Sequence, residues 1–150
     1  MSSKQKAIIV DLDGTIADDL WRRHLYRRPN VDWDEINAMC KFDQAFKWAQ
    51  EIVHAMHAQG YHIIFLTARN DTARSVTESW LNAHVNVTNS SLIMRSEGDR
   101  REDWITKEDL YNRLVLPQYE VLFCLDDKQS VTDMWRRIGL TCLQCDSIEL

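Results

Sequence analysis

No apolar stretch in this sequence reaches the roughly 20 residues that a membrane-spanning helix needs, so a helical membrane protein is excluded. The opening Met1-Ser2-Ser3-Lys4-Gln5-Lys6 has no apolar core behind it, and no secretory leader is expected. Proline occurs twice and glycine four times, too sparsely for a Pro/Gly-rich linker, and there is no internal repeat or low-complexity segment. Cysteine is scarce too: Cys40, Cys124, Cys142 and Cys145, expected as reduced thiols in a cytoplasmic chain. Cys142 and Cys145 imitate a C-x-x-C pair. On a strand over Leu140–Cys145 they would face opposite ways, so a metal site there is not expected. Basic residues are outnumbered, 18 Lys and Arg against 23 Asp and Glu, and the resulting net charge of -5 argues against a general nucleic-acid coat protein. The basic clusters, Arg22-Arg23 with Arg27-Arg28 and Arg95 with Arg100-Arg101, are most simply solvated faces.

What is present is the composition of a globular domain: 150 residues, 45% hydrophobic and 27% charged, one domain over 1–150 with enough chain for a real core. Its most informative stretch is Ala7-Ile8-Ile9-Val10-Asp11-Leu12-Asp13-Gly14-Thr15. The apolar, β-branched run is too short for a helix and suits a buried strand. On an extended backbone Asp11 and Asp13 project to one side while Leu12 turns to the core. Two carboxylates so close stay ionised only beside a cation, and hard oxygen ligands of this kind suit magnesium. Gly14 permits a sharp turn and close approach to a ligand, and Thr15 adds a hydroxyl.

Along the rest of the chain, apolar runs alternate with helical periodicity. Leu20–Asn37 is mixed, aromatic and basic, a loop or short helical excursion whose Trp21, Tyr26 and Trp33 are either packing anchors or stacking surfaces for a base. Phe42, Ala45, Phe46, Ala49, Ile52, Val53 and Met56 predict a helix stopped by Gly60, with His54 and His57 on or near its exposed side. A strand follows over Tyr61–Leu66 and ends in Thr67-Ala68-Arg69. Asp71 is placed to cap a helix through Val76, Trp80 and Ala83, and Leu92–Met94 is a short strand leading to Arg95. Thr106 and Asp109 suggest a capping box with Lys107 in the first turn, where a cation opposes the helix dipole unless an anion lies between them. That helix stops at Pro117. Val121–Leu125 is a strand ending in Asp126-Asp127; Ser130 and Asp133 start a last helix with Val131, Met134, Trp135 and Ile138 on one face and Gly139 as stop; Thr141–Cys145 closes the sheet.

This alternation predicts an α/β fold, a doubly wound parallel sheet covered on both faces, in which ligands sit beyond the carboxyl ends of the strands. Asp11, Asp13, Thr67, Arg69, Arg95, Asp126 and Asp127 all fall at such ends. Acids, a threonine and a lysine converging on one edge suit phosphoryl transfer, which needs a metal, donors to the equatorial oxygens and in-line attack.

Asp11-Leu12-Asp13-Gly14-Thr15 resembles the signature of the haloacid dehalogenase superfamily of phosphohydrolases. The resemblance implies a Rossmann-like fold in which Asp11 is the nucleophile that forms an aspartyl phosphate and Asp13 the general acid and base. Thr67 and Lys107 would hold the phosphate. Asp126 and Asp127, with Asp11 and Asp13, would hold Mg2+. The chain between Thr15 and the next helix, about 16–41, has room for a small flap but not for the full cap domain of larger members.

The segments Arg95-Ser96-Glu97-Gly98-Asp99-Arg100-Arg101-Glu102-Asp103-Trp104-Ile105-Thr106-Lys107 and Leu125–Gly139 are similar to the 3′-phosphatase domain of phage-type polynucleotide kinase/phosphatase. That similarity implies removal of 3′-phosphate from DNA or RNA ends, in the cytoplasm of a host if the gene is a phage's, and it adds Arg69, Arg95, Asp103 and a flap arginine, Arg22 ahead of Arg23, as substrate-binding residues. The G-x-x-x-x-G-K-[ST] loop of the family's kinase is absent from this sequence, so no kinase activity is expected of it. Two other functions fit the same residues: a nucleotidase or other small-molecule phosphatase, and an inactive module that binds nucleic-acid ends. A membrane partner is not expected, and a homo-oligomer is left open.

Overall fold

The computed structural model describes residues 3–147, so the two ends of the expected 1–150 domain, with Met1 and Ser2, lie outside the described residues. Its centre is β1 (Gln5–Val10), whose Ala7 and Ile9 pack into one apolar cluster and Ile8 and Val10 into another. That alternation is possible only for a strand covered on both faces. β1 pairs in parallel with β4 (His62–Asn70) on one side and β6 (Tyr119–Asp126) on the other. β5 (Ser90–Arg95) and β7 (Cys142–Gln144) complete a five-stranded parallel sheet in the order β5-β4-β1-β6-β7. The chain runs outward from β1 through β4 to β5 and returns to the other side for β6. The crevice beyond β1 and β6 is therefore the topological switch point, where an open α/β sheet receives its ligand.

Helices α2 (Lys47–Ala58) and α3 (Arg74–His84) join the core around Ile8, Val10, Phe65 and Trp80. Helices α4 (Asp103–Leu110) and α5 (Gln129–Arg137) join the other, around Ile9, Leu66, Met134 and Trp135. The expected doubly wound architecture is present, with a small helical insertion in place of a cap domain. Among the described residues, no helix is long and apolar enough to cross a membrane.

The structure moves several element boundaries. The predicted helix does not begin at Phe42. A two-stranded ribbon, β2 (Ala17–Asp18) with β3 (Gln44–Ala45), takes that chain first, and the Phe46 N–H donates to the Ile16 carbonyl at 2.9 Å, so helical phase starts at Lys47. Strand β4 continues through Thr67 and Arg69 rather than stopping before them. Asn70, not Asp71, makes the local cap by accepting from Thr72 N, while Asp71 accepts from Glu97 N across the loops. Helix α4 starts at Asp103, three residues before the expected box, and Lys107 therefore stands in its second turn, past the strongest part of the helix dipole. Its last turn widens into a π-helical segment, Tyr111–Val115. Ser130 does not cap α5, which starts at Gln129, and Asp133 instead accepts from Gln129 Nε2 at 2.8 Å.

The ribbon brackets the insertion between β1 and α2. Within it lie a 3-10 helix at Leu20–Arg27, α1 (Trp33–Ala38) and a short 3-10 turn at Met39–Phe42. Asp34 of α1 accepts from Asn70 Nδ2 and Thr72 Oγ1, at 2.9 and 3.1 Å, which ties the insertion to the end of β4.

Candidate active site

The turn after β1 builds the site. Gly14 N–H donates to Ala17 O and Ala17 N–H to Leu12 O, both at 2.9 Å, with Gly14 at φ +83°. A side chain at residue 14 is excluded twice over: that φ disfavours any Cβ, and a Cβ would lie 2.2 Å from Asp127 Oδ2 and 2.3 Å from Arg23 Nη2. The closed turn leaves Asp11 facing the end of β6. Lys107 Nζ lies 2.8 Å from Asp11 Oδ1 and 2.9 Å from Asp126 Oδ2, and Thr15 Oγ1 lies 3.2 Å from Asp11 Oδ2 and 3.4 Å from Asp127 Oδ1.

Asp11, Asp126 and Asp127 are all buried and each presents an oxygen within 4.8 Å of the others. One ammonium does not balance three carboxylates in a medium of low dielectric. Burial, with Asp126 and Asp127 beside it, pushes the Asp11 carboxyl well above its ordinary value against the pull of Lys107. Burial and Asp126 push Asp127 up to about 6. For Lys107, burial alone would lower the ammonium, but Asp11 and Asp126 outweigh it and hold the charge in place. A compact set of hard oxygens with surplus negative charge fits a small divalent cation such as Mg2+.

Asp13, expected beside Asp11 in the metal set, has its carboxylate engaged outside the compact group of Asp11, Asp126 and Asp127. It accepts from Arg22 Nη2 at 2.7 Å and from Arg69 Nε and Nη2 at 3.0 and 2.6 Å. Burial would raise its carboxyl, yet Arg69 and Arg22 overcome that and hold it well below the usual carboxylate range. The two arginines are themselves locked. Arg22 is fully buried and also bonded to Asp43 and to the Tyr26 hydroxyl, and Arg69 also reaches Thr77 Oγ1. Thr67, on the same strand, is buried and accepts from Arg69 N–H at 3.1 Å.

Two of the expected substrate-binding arginines, Arg22 and Arg95, donate to protein groups in this structure. Arg22 supports Asp13, and Arg95 clamps a loop. Arg95 donates to the carbonyls of Ala68, Asp99 and Arg101, to Thr106 Oγ1 and to Asp103 Oδ1. This fixes the 96–103 segment and the start of α4, and so the height of Lys107. Asp103 also accepts from Lys128 Nζ at 3.0 Å. Of the two flap arginines it is Arg23 that lines the cleft over these groups: Nε donates to Asp19 at 2.8 Å, Nη2 lies 3.4 Å from Asp127, and Nη1 is buried without a partner among the described residues. Adjacent positions of a 3-10 helix point about a third of a turn apart. Which of them faces in depends on Asp43 and Asp19, and neither acid carries a motif that marks it in the sequence.

The cleft over these residues has a volume of about 1030 Å³. Asp11, Asp13, Thr67, Arg69, Arg95, Asp103, Lys107, Asp126 and Asp127 all line it, so the structure brings every expected group except Arg22 to one cavity. Its basic rim is formed by Arg100, Arg101 and Lys128, not by the deeper arginines. The Cys142 thiol lies 3.8 Å from Thr132 Oγ1, whereas that of Cys145, an exposed residue, lies 3.7 Å from the Gly14 carbonyl.

A family model described as the polynucleotide kinase PNKP phosphatase domain matches residues 5–149. A putative bifunctional polynucleotide kinase/RNA ligase of Autographa californica nuclear polyhedrosis virus is 24% identical over 135 residues, which are 90% of this chain but 18% of that protein. A chain of the Pnkp1/Rnl/Hen1 RNA repair complex is 30% identical with a TM-score of 0.83, covering 100% of this chain and 45% of its own. The class C acid phosphatase from Bacillus anthracis shares the fold at 14% identity and a TM-score of 0.74, over 97% of this chain and 68% of its own. The chain therefore spans less than half the length of the viral relative and of the matched chain of the repair complex.

Proposed function

The chain belongs to the polynucleotide kinase PNKP phosphatase domain family, a haloacid dehalogenase-type phosphatase domain, and from that premise we propose that residues 1–150 form one magnesium-dependent phosphatase domain that removes 3′-phosphate from DNA or RNA ends. One observation carries the reading: Asp11 is held at the switch point by Lys107 and Thr15, beside two further carboxylates and under a cleft far larger than a phosphate.

Asp11, Asp126 and Asp127 would hold the cation through their carboxylates, and Mg2+ bound there would neutralise charge on both the phosphoryl group and its attacker. An Asp11 carboxylate oxygen attacks phosphorus, forming an aspartyl phosphate as the bond to the sugar 3′-oxygen breaks. Lys107 and Thr67 hold the equatorial oxygens through that step. Arg23 Nη1, buried with no partner among the described residues, supplies a further donor at the cleft wall. Asp13 gives a proton to the leaving 3′-oxygen and takes one from the water that attacks the phosphoenzyme, releasing phosphate and restoring Asp11. The arginine-held carboxylate fits the second half directly. In the first half, a phosphate drawing the Arg69 donors toward itself weakens their hold on Asp13, and its carboxyl rises toward the range in which it carries a proton.

Four free thiols suit a reducing compartment, and the proposal places the activity in the cytoplasm. Phosphate release from a 3′-phosphorylated oligonucleotide, compared with 3′- and 5′-mononucleotides, tests the substrate. The 3′-end is expected to have the highest kcat/KM; a consistent preference for 5′-mononucleotides makes the protein a nucleotidase instead.

A further inference from the structure

Beyond the phosphoryl site the cleft runs under the insertion, and the wall there has a chemistry of its own. Trp33 and Asn37 stand four residues apart on α1, which places them on one face of that helix, and both line the cleft. Trp33 remains 48% exposed although its ring centroid lies 5.4 Å from that of Tyr26. Tyr26 is fixed in turn, its hydroxyl donating to Asp19 and accepting from Arg22. Asn37 is 7% exposed and lines the cleft, and its side-chain amide is not engaged by another side chain or backbone group among the described residues, which leaves it open to a ligand. The helix itself is held in place by the Asp32 cap on Glu35 N and by the Asp34 contacts to Asn70 and Thr72.

We infer that Trp33 and Asn37 form a nucleobase subsite, which receives the base of the terminal nucleoside whose phosphate lies at Asp11. An indole face offers stacking to any base, and an amide offers one donor group and one acceptor to a base edge. The acids on the same wall, Asp32 and Asp34, repel a second phosphate, so a neutral planar group belongs there and the sugar-phosphate chain leaves along Arg100 and Lys128 on the other rim. The subsite rests on the phosphatase reading and refines it: the enzyme grips the terminal base rather than the phosphate alone.

The test compares kcat/KM on two 3′-phosphorylated oligonucleotides, one ending in a normal nucleotide and one in an abasic residue. The wild type should favour the base-bearing end by about 5- to 150-fold, the range that stacking of one base supports. In Trp33→Ala that preference should collapse toward unity, in Trp33→Phe most of it should survive, and Asn37→Ala should narrow the differences among the four terminal bases. A wild type indifferent to removal of the base overturns the subsite without any variant having to fold, as does a Trp33→Ala that slows both substrates equally. If 5′-mononucleotides prove the better substrates, the 3′-end reading fails separately. The same comparison, nucleoside 5′-phosphate against ribose 5-phosphate, then decides the subsite.

Discussion

Lys107 Nζ lies 2.8 Å from Asp11 Oδ1 across 96 residues of sequence, and both groups are buried. The contact joins the first strand of the sheet to α4 and puts the one ammonium of the cluster on the oxygen proposed to attack. Replacing Asp11 by Asn keeps the volume and removes the nucleophile. Asp11→Asn should fold normally and lose turnover by at least three orders of magnitude, a size typical of removing a covalent catalyst. A phosphoenzyme trapped on any other residue contradicts the assignment.

Metal and pH act on the same cluster. Because burial and Asp126 raise Asp127 from 3.8 to about 6, the folded state binds more protons than the unfolded chain between those values. Stability of the metal-free protein should therefore fall as pH rises through that window, by on the order of 3 kcal/mol from this group. Added Mg2+ should raise Tm strongly at pH 7.5 and weakly at pH 5, where Asp127 is protonated. Equal shifts at both pH values would show that the cluster does not hold the ion. Activity should vanish with a chelator and return with Mg2+.

We propose that Arg22 and Arg95 act through other residues. Removing Arg22 leaves Asp43, which has no exposed side-chain surface, without its principal cation. Arg22→Ala should cost about 3–5 kcal/mol, the usual penalty for breaking a buried pair, visible in chemical denaturation. Its kcat should fall on oligonucleotide and on simple aryl phosphate alike, since Asp13 serves both. Arg95→Ala should behave in the same way through Lys107. A loss confined to the oligonucleotide would return either arginine to direct substrate contact.

Gly14→Ala sets a methyl group against Asp127 Oδ2 and Arg23 Nη2. Both must move, and the backbone keeps a φ that alanine tolerates poorly. The variant should lose apparent Mg2+ affinity by tenfold or more, measured as the metal concentration for half-maximal activity, and should be less stable by about 1–2 kcal/mol. A crystal structure with Asp127 unmoved would refute the packing argument.

The sequence by itself determined the sheet and the end of it that carries the chemistry. Short β-branched runs alternating with helical periodicity admit one architecture, and acids placed just after those runs have nowhere else to go. It also marked Asp11, Asp13, Thr67, Arg69, Arg95, Asp126 and Asp127, because each follows an apolar run that fixes its position to within a residue or two. Partnership was not legible. Asp13 and Asp11 are two apart and look equivalent, yet one enters an arginine cage and the other the carboxylate cluster. Arg22 and Arg23 are adjacent, yet one is sealed against Asp43 and the other lines the cleft. The helix start at Lys47 was displaced from its sequence signal by pairing of the preceding residues with distant chain. Only the tertiary structure decided these. A charge in a low-dielectric interior goes to whichever opposite charge the fold brings within about 3 Å, and here those partners lie as far apart in sequence as Lys107 and Asp11.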